Sequence, residues 1–360
     1  MPYYPIDHLR KDINDTLEGI LSGSSGFPEM KSTSPELAKN LHGFITRKGK
    51  RIRPLLFLIS YLGYTPRRKM NYPGLLRSAA SIELLHDFLL VHDDVIDNSD
   101  LRRGKPSLHR VFNKTFRVTA HDRLGYDLSI VAGDILYALA IENFLSVDED
   151  PELKEKALRI FTGSAVLTGI GEYIDVVNNT RNIDKLSHND IASTYILKTA
   201  KYTFEGPMLA GSVLAGVGVK EQERISEMAL SLGQAFQIHD DLIDIFSTSG
   251  DTGKPMFSDL NESKKTLIAW RTCHSLRGKD RDSFRKVLGK KNKTAADLKR
   301  LYNMITGTGA GEFCRGETIA LLDKAMDSCL ELKINARYKE ELVSMIIRLA
   351  KKTEKLRIPS

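Results

Sequence analysis

Residues 82–97 read IELLHDFLLVHDDVID and decide the class of fold. Their apolar side chains, among them Ile82, Leu85 and Leu89, recur every three or four residues, which is the spacing of one face of an α-helix. Similar spacing recurs along the chain, whereas the alternation of apolar and polar residues that is typical of strands is scarce. The sequence therefore predicts an all-α fold with about a dozen helices.

Helix-start signals agree with this prediction. Ser34-Pro35-Glu36 combines an N-cap residue, a first-turn proline and an acidic first turn. Two further pairs have the spacing of a capping box, namely Ser187 with Asp190 and Thr294 with Asp297. The Gly-, Ser- and Asn-containing stretches at 22–26, 178–182 and 247–254 mark loops, and none resembles a flexible interdomain linker. We expect one large helical domain over residues 1–360.

The composition is that of an ordinary soluble globular protein. Of 360 residues, 41% are hydrophobic and 28% are charged. A chain of this length buries about 75% of its unfolded surface, so its core needs no disulfide or metal staples. Wholesale disorder, a collagen-like fibre and a disulfide scaffold are excluded.

The cysteines and the N-terminal region indicate a cytoplasmic location. Cys273, Cys314 and Cys329 form no metal-site or disulfide pattern, so we expect free thiols in a reducing compartment. Residues 1–23 carry scattered charges instead of the apolar core of a signal peptide. We also expect no transmembrane segment, because no run approaches the roughly 18 apolar residues that a spanning helix needs.

The basic excess of the chain lies in one segment. The 53 Lys and Arg residues outnumber the 46 Asp and Glu residues, which gives a net charge of +7. Residues 277–300 hold ten basic and three acidic residues and so account for the whole excess. A charge confined to one segment is weak support for nucleic-acid binding, and we expect no nucleic-acid partner.

A second acidic motif, HDDLID at residues 239–244, differs from HDDVID at residues 92–97 only in Leu for Val. On a helix, Asp93 and Asp97 project from one face, and Asp94 lies about 100° away. The corresponding residues of the second motif are Asp240, Asp244 and Asp241. Carboxylate oxygens are hard ligands that suit Mg²⁺, which completes its coordination with water and substrate phosphates.

A solvated acidic face is the alternative interpretation of one such motif. Each copy, however, is set in apolar sequence, and an acidic cluster in such a setting is unfavourable unless a metal or a polar cavity compensates. Two copies therefore favour metal binding. Basic clusters near them, at 48–54, 102–106 and 253–255 with Lys264 and Lys265, suit a ligand that carries several phosphates.

Together these motifs resemble the trans-isoprenyl diphosphate synthases. The resemblance covers about residues 41–332 and rests on GKRIRP at 49–54, ELLHDFLLVHDDVIDNSDLRRGKPSLH at 83–109, AGDILYALA at 132–140, YILKTAKY at 195–202, FQIHDDLIDIF at 236–246 and GKPMFSDLNESKKTL at 253–267. It implies an all-α bundle around a deep central cavity. It also implies a homodimer, three Mg²⁺ ions, and condensation of isopentenyl diphosphate with dimethylallyl, geranyl or farnesyl diphosphate.

The resemblance assigns roles to individual residues. Isopentenyl diphosphate is expected to bind Lys50, Arg53, His86 and Arg103. The expected contacts of the allylic diphosphate are Arg102, Lys198, Lys254 and Lys264.

The metal-binding and catalytic residues follow from the same resemblance. Two Mg²⁺ ions are expected at Asp93, Asp94 and Asp97, and a third is expected at Asp240 and Asp244. The remaining expected catalytic residues are Asp241, Lys198, and Thr199 and Gln237 near the allylic cation.

Product length is predicted from the residues that precede Asp93. Phe88 lies five positions earlier, and its aromatic ring, with Leu89 and Leu85, is expected to form the floor of the product pocket. An aromatic residue at this position with a short DDxxD motif resembles archaeal-type geranylgeranyl diphosphate synthases. Many bacterial farnesyl diphosphate synthases instead have two extra residues in the motif. We predict a C20 product, with C15 as the alternative.

Two other functions are compatible with part of this pattern. A class I terpene cyclase also uses DDxxD but normally carries a different second metal motif, and a non-catalytic synthase subunit is expected to have lost aspartates. Two segments depart from the family pattern. Residues 112–129 are longer than the usual link, as a helix extension or a loop, and residues 277–300 match no motif. A solvated face is the simplest interpretation of the second segment, and contact with an anionic membrane is the alternative.

Overall fold

The computed structural model describes residues 3–65, 70–102, 104–247 and 257–359. It confirms the all-α prediction. The chain divides into two compact units, of which the first comprises Met1–Thr162 with Pro207–Gly218 and the second comprises Gly163–Gly206 with Val219–Ser360.

The first unit contains helices and one short hairpin. Its elements are α1 (Ile6–Gly19), α2 (Phe27–Thr33), α3 (Pro35–Ile45), α4 (Ile52–Tyr64), α5 (Tyr72–Ile96), β1 (Leu101–Arg102), β2 (Lys105–Pro106), α6 (Leu108–Thr115), α7 (Arg123–Phe144), the first part of α8 (Pro151–Thr180) and α10 (Gly206–Leu214). The two strands are antiparallel and pair Leu101 with Pro106.

The core of the first unit forms where α5 packs against α4 and α7. Helix α10 lies so close to α4 that a Cβ atom on Gly211 would stand 2.4 Å from the carbonyl oxygen of Phe57. The hydroxyl of Ser60 donates a hydrogen bond to the Met208 carbonyl at 2.7 Å and fixes this approach. A side chain at position 211 is therefore excluded by packing.

The second unit contains the rest of α8 and the elements that follow it. These are a 3₁₀ turn (Ile183–Lys185), α9 (His188–Tyr195), a π-helix (Ile196–Glu205), α11 (Val219–Phe246), α12 (Ser258–Asn261), α13 (Leu267–Ser275), α14 (Gly278–Leu288), α15 (Ala295–Gly307), α16 (Ala310–Glu331) and α17 (Ala336–Glu354). Helix α11 packs against the π-helix and α16.

Several local predictions are confirmed, and one is wrong. Both capping boxes form, at Ser187 with Asp190 and at Thr294 with Asp297. The described residues contain seventeen α-helices instead of a dozen. The number is higher partly because it includes short helices such as α2 and α12.

The long link at 112–129 combines both predicted forms. Helix α6 ends at Thr115, a loop spans 116–122, and α7 begins at Arg123. The Asn113 amide donates hydrogen bonds to the carbonyls of Ala120 at 2.9 Å and Asp122 at 3.0 Å. The link is therefore a tethered loop followed by the first turns of a helix.

Two helices, α7 and α8, have the length and apolar composition of a membrane span, a test that core helices of soluble proteins also pass. Helix α7 carries Asp134 at its middle, with a side chain that is 70% exposed. A charge at that depth is costly in hydrocarbon, which argues against α7 as a spanning helix.

Candidate functional site

The first acidic motif lies at the C-terminal end of α5. The helix ends at Ile96, and Asp97 is its C-cap. Asn98, with φ of 52°, follows it, and the Ser99 amide donates to the Asp94 carbonyl at 2.9 Å. This is the Schellman ending, for which asparagine is one of the few suitable residues. The local sequence thus fixes where the three aspartates of this motif stand.

Arg102 pairs with two aspartates of this motif. Its Nε donates to Asp94 at 2.7 Å, and its terminal nitrogen donates to Asp93 at 2.9 Å. Asp94 is 0% exposed. Burial raises the pKa of Asp94 to about 6, although Arg102 acts to lower it. The structure thus brings together three predicted site residues in the first unit.

The first motif fits a hard cation. Asp94 Oδ2 is buried without a hydrogen-bond partner, and Asp93 keeps 22% of its side chain exposed. A buried carboxylate oxygen without a donor is costly unless a cation satisfies it, and Mg²⁺ needs only one or two protein carboxylates. Within the described ranges, no three His, Cys, Asp or Glu side chains form a preassembled metal cluster.

The second acidic motif lies in the last turns of α11, in different surroundings. Asp240 is exposed, whereas Asp241 is 3% exposed. The buried carboxylate of Asp241 accepts hydrogen bonds from the Tyr195 hydroxyl and, at 2.9 Å, from the Gln237 amide. Burial raises the pKa of Asp241 well above its usual value. The carboxylate of Asp241 is therefore hydrogen-bonded by neutral donors.

A chain of hydrogen bonds extends from Asp241 in both directions. Thr199 donates to Gln237 at 2.7 Å, so two residues predicted only by resemblance are in contact. On the other side, the Leu267 amide at the start of α13 donates to the Tyr195 oxygen at 2.7 Å. Sequence reasoning missed Tyr195, although its place three residues before Lys198 in YILKTAKY is a usable signal.

Asp244 holds the loop that follows the second motif. Its carboxylate accepts from the Ser258 amide at 3.0 Å, the Ser258 hydroxyl at 2.6 Å and the Asp259 amide at 3.2 Å. Burial, followed by the nearby Asp259 charge, raises the pKa of Asp244 to about 6. In the same loop, the Lys264 ammonium lies 2.8 Å from the Glu262 carboxylate. Asp244 thus caps α12 in addition to its predicted metal role.

The π-helix presents Lys198 to two carboxylates on α8. Its ammonium lies 2.6 Å from Glu172 and 2.8 Å from Asp175. A Cβ atom on Gly171 would stand 2.5 Å from the Lys198 amide nitrogen, so this contact needs glycine. π-helices are rare and frequent at functional sites. Glu172 and Asp175 were also missed, although their three-residue spacing places both on one helix face.

The GKRIRP segment separates a structural arginine from the predicted binding residues. Arg51 is buried and pairs with Glu83 of α5 at 2.7 Å. Lys50 is exposed and Arg53 is half-buried at the start of α4. His86, one helical turn after Glu83, is 5% exposed. Arg103 and Lys254, the other predicted diphosphate contacts, lie outside the described residues.

The predicted chain-length residues lie on α5, on the N-terminal side of the first acidic motif. Leu85 is buried, while Phe88 and Leu89 are half-buried. The Phe88 ring lies 5.1 Å from the Tyr137 ring of α7 and 4.8 Å from the His92 ring. An aromatic cluster thus joins α5 to α7 one turn before the acidic motif.

Comparison with known proteins identifies relatives of the chain. The family model for polyprenyl synthetase matches residues 34–305. A short chain isoprenyl diphosphate synthase of Methanocaldococcus jannaschii is 32% identical over 260 residues, which are 71% of this chain and 72% of that protein. A geranylgeranyl diphosphate synthase of Sulfolobus acidocaldarius is 31% identical over 81% of each chain.

Solved structures share the fold. The geranylgeranyl pyrophosphate synthase of Corynebacterium glutamicum, in complex with isoprenyl diphosphate and magnesium, superposes with a TM-score of 0.88 at 23% identity. The match covers 97% of this chain and 100% of that chain.

Proposed function

The chain belongs to the polyprenyl synthetase family, and on that premise we propose that it is a magnesium-dependent short-chain trans-prenyltransferase. It condenses isopentenyl diphosphate head-to-tail with an allylic diphosphate. The observation that carries the proposal is the presence of both complete acidic motifs, with an unsatisfied buried oxygen on Asp94, in a chain matched to this family over residues 34–305. Because this match spans both compact units, we propose that they act as one synthase domain over residues 1–360.

The metal ions are assigned to the two motifs. Asp93, Asp94 and Asp97 would hold two Mg²⁺ ions, and Asp240 and Asp244 would hold a third. When bound, Mg²⁺ neutralises the negative charge that develops on the departing diphosphate. The exposed side chain of Asp240 and the partly exposed side chain of Asp93 are open to a cation that arrives with its substrate. The related Corynebacterium structure, which is a complex with magnesium, supports this choice of ion.

Each described cation of the allylic-diphosphate site is held by carboxylates. Arg102 pairs with Asp93 and Asp94, and Lys198 pairs with two acids on α8. Lys264 likewise lies beside Glu262. These ion pairs orient the cations, so binding of the diphosphate costs less side-chain conformational entropy. Lys254 completes this set.

Isopentenyl diphosphate binds the second basic set, which consists of Lys50, Arg53, His86 and Arg103. Arg51 lies between Lys50 and Arg53 and has a φ of 52° at the start of α4. Its buried pair with Glu83 holds the backbone in this left-handed conformation. The structural arginine thereby supports the two binding residues.

The reaction proceeds by charge separation. The C1–oxygen bond of the allylic substrate breaks, and both electrons leave with the diphosphate. The double bond of isopentenyl diphosphate then attacks C1, and the adduct loses a proton to the released diphosphate. Thr199 and Gln237 place polar oxygen atoms beside the allylic cation, and their mutual 2.7 Å hydrogen bond fixes both. The protein supplies position and electrostatics, without a covalent nucleophile.

The proposed product is the C20 compound geranylgeranyl diphosphate. Support comes from Phe88, whose ring packs against Tyr137 and so holds a rigid obstacle one turn before the acidic motif. The related Sulfolobus protein is a geranylgeranyl diphosphate synthase. Farnesyl diphosphate is the second candidate, because a farnesyl diphosphate synthase of Geobacillus stearothermophilus is also 30% identical. Replacing Phe88 with Ala should lengthen the product, as read by chromatography, and an unchanged length would remove Phe88 from the floor.

The remaining proposals concern assembly and location. Helix α8 exposes an apolar row at helical spacing, formed by Val166, Ile170, Tyr173 and Val176. Such an exposed row favours a protein interface, and we propose a homodimer. The three cysteines are buried free thiols, which supports a cytoplasmic location.

The direct test is incubation with labelled isopentenyl diphosphate, Mg²⁺ and each allylic primer in turn. Label should move into a longer prenyl diphosphate, and Asp93→Asn should lower this rate by orders of magnitude. No elongated product from any primer would refute the synthase. Release of a hydrocarbon or alcohol from an allylic diphosphate alone would instead identify a terpene cyclase.

A further inference from the structure

The basic segment at 277–300 is built into the second unit. Arg285 pairs with Asp184 at 3.2 Å, and Arg281 donates to the carbonyls of Cys273 and Leu276. Lys290 donates to Asp297 at 2.6 Å. Exposed cations such as Lys286 and Lys291 lie between these anchored ones. Several cations of the segment therefore anchor it to the rest of the second unit.

Lys293 reaches from this segment to the loop behind the second acidic motif. Its ammonium donates to the Ser263 hydroxyl at 2.7 Å, the Asn261 carbonyl at 3.2 Å and the Lys290 carbonyl at 2.8 Å. An ammonium has three donors, so these contacts use all of them. Asp297, which bonds both Lys290 and Thr294, holds the turn from which Lys293 projects.

The loop that Lys293 reaches is strained. Phe257 and Ser263 have φ values of 63°, which non-glycine residues rarely adopt. Such backbone conformations are strained and persist only when their surroundings hold them. Ser263 is held on two sides, because its carbonyl also accepts from the Lys265 ammonium at 3.0 Å.

The two lysines meet at an electrostatic cost. Lys265 is 8% exposed, and burial lowers its pKa. Burial, with the nearby Lys265 charge, also lowers the pKa of Lys293 to about 8. Both ammonium groups nevertheless bond to Ser263, one at its carbonyl and one at its hydroxyl.

We propose that Lys293 is a positioning residue of the allylic-diphosphate site, which it serves by fixing the loop Phe257–Lys264. Ser258 and Asp259, at one end of this loop, donate to Asp244, and Lys264 closes the other end through a 2.9 Å bond from its amide to the Asp259 carbonyl. A loop fixed at Asn261 and Ser263 therefore keeps Lys264 and the partners of Asp244 in place. This inference rests on the proposed function.

The test compares Lys293→Met with Lys291→Met, a matched change at an exposed lysine two positions away. Lys293→Met keeps the apolar stem and removes the donors. Loss of hydrogen bonds from a charged group predicts about tenfold faster amide hydrogen exchange over 258–264, and about a tenfold higher KM for farnesyl diphosphate. The KM for isopentenyl diphosphate should stay within about twofold. Lys293→Arg should restore part of both losses.

The outcomes separate this inference from the proposed function. An exchange rate over 258–264 that is equal in both methionine variants overturns it, whether or not the protein is active. In an active enzyme, an unchanged KM for farnesyl diphosphate, or equal rises in both KM values, also overturns it. If the wild-type protein is inactive, the proposed synthase function is refuted. Faster amide exchange over 258–264 in Lys293→Met would then still support the role of Lys293 in fixing the loop Phe257–Lys264.

Discussion

The two acidic motifs differ in one of six residues, yet their middle aspartates are neutralised in opposite ways. Asp94 is buried against the Arg102 guanidinium and keeps one oxygen without a partner. Asp241 is equally buried, but its partners are the neutral hydroxyl of Tyr195 and the neutral amide of Gln237. A repeated sequence therefore does not repeat its electrostatics, because the compensating groups come from outside the motif.

The outer aspartates follow the same division. Asp93 shares the Arg102 guanidinium, whereas Asp244 accepts two backbone amides and one hydroxyl at the start of α12. A cation balances the first motif, and fixed dipoles balance the second. Substitutions that remove one kind of partner should therefore affect the two motifs differently.

The largest effect is expected from Arg102→Met. This change leaves Asp93 and Asp94 close together without their cation, and removing one partner of a buried pair costs about 3 kcal/mol or more. Urea unfolding of the metal-free protein measures this loss. The control is Arg123→Met, which breaks a pair with the exposed Asp127 and should cost no more than about 1 kcal/mol. Equal losses would show that the guanidinium does not compensate the first motif.

The next largest effect is a difference in kcat/KM between substitutions of the two middle aspartates. Asp94→Asn should lower kcat/KM by about a hundredfold or more, because it removes a negative charge where metal is expected to bind. Asp241→Asn should lower it by about tenfold, since the amide oxygen still accepts from Tyr195. Steady-state assays with saturating Mg²⁺ measure both values. A larger loss for Asp241→Asn would reverse the assignment of roles.

A smaller effect is expected from Tyr195→Phe. The change removes the hydroxyl between Asp241 and the Leu267 amide and leaves a buried donor unsatisfied, which costs about 1–3 kcal/mol. Tyr302→Phe, which keeps the ring of a partly exposed residue, is the control and should change the free energy of unfolding by less than about 0.5 kcal/mol. Matching stabilities of the two variants would mean that neutral donors do not hold the second motif.

The smallest effect concerns His109, which follows the first motif and is 0% exposed. Burial, with the nearby Arg110 charge, lowers the pKa of His109 to about 4. Between that value and the ordinary pKa near 6.5, the unfolded chain binds a proton that the folded chain does not, so stability falls as the pH falls. From pH 7 to pH 5.5, His109 should account for about 1 kcal/mol of lost stability.

His109→Gln removes this titration. The variant should therefore show a shallower fall in stability over the same pH range, as measured by urea unfolding at both pH values. A variant that follows the wild-type pH dependence would contradict the assignment of that loss to His109.

What the sequence predicted correctly depends on neighbours along the chain. Helix periodicity indicated the all-α fold, and the capping boxes at Ser187 and Thr294 were found because their partners lie three residues away. What the sequence missed depends on distant partners. Glu83 lies 32 residues from Arg51, and Tyr195 lies 46 residues from Asp241. No periodic pattern connects such residues, so only the folded chain shows which arginine of GKRIRP is structural.

The family resemblance identified more of the candidate site residues than the residue patterns did. Without it, Thr199 and Gln237 read as ordinary helix positions, and the structure places them in direct contact. The resemblance did not reveal that Arg102 and Lys198 pair with carboxylates, because a residue's role in binding does not tell which side chains of the protein it contacts.

The central claim is metal-dependent condensation of two prenyl substrates. The most direct measurement incubates the wild-type protein with labelled isopentenyl diphosphate and farnesyl diphosphate, once with Mg²⁺ and once with EDTA, and separates the products by chain length. We predict a labelled C20 diphosphate with Mg²⁺ and none with EDTA. Label that stays in isopentenyl diphosphate with Mg²⁺ present, or a C20 product that forms equally with EDTA, would contradict the account.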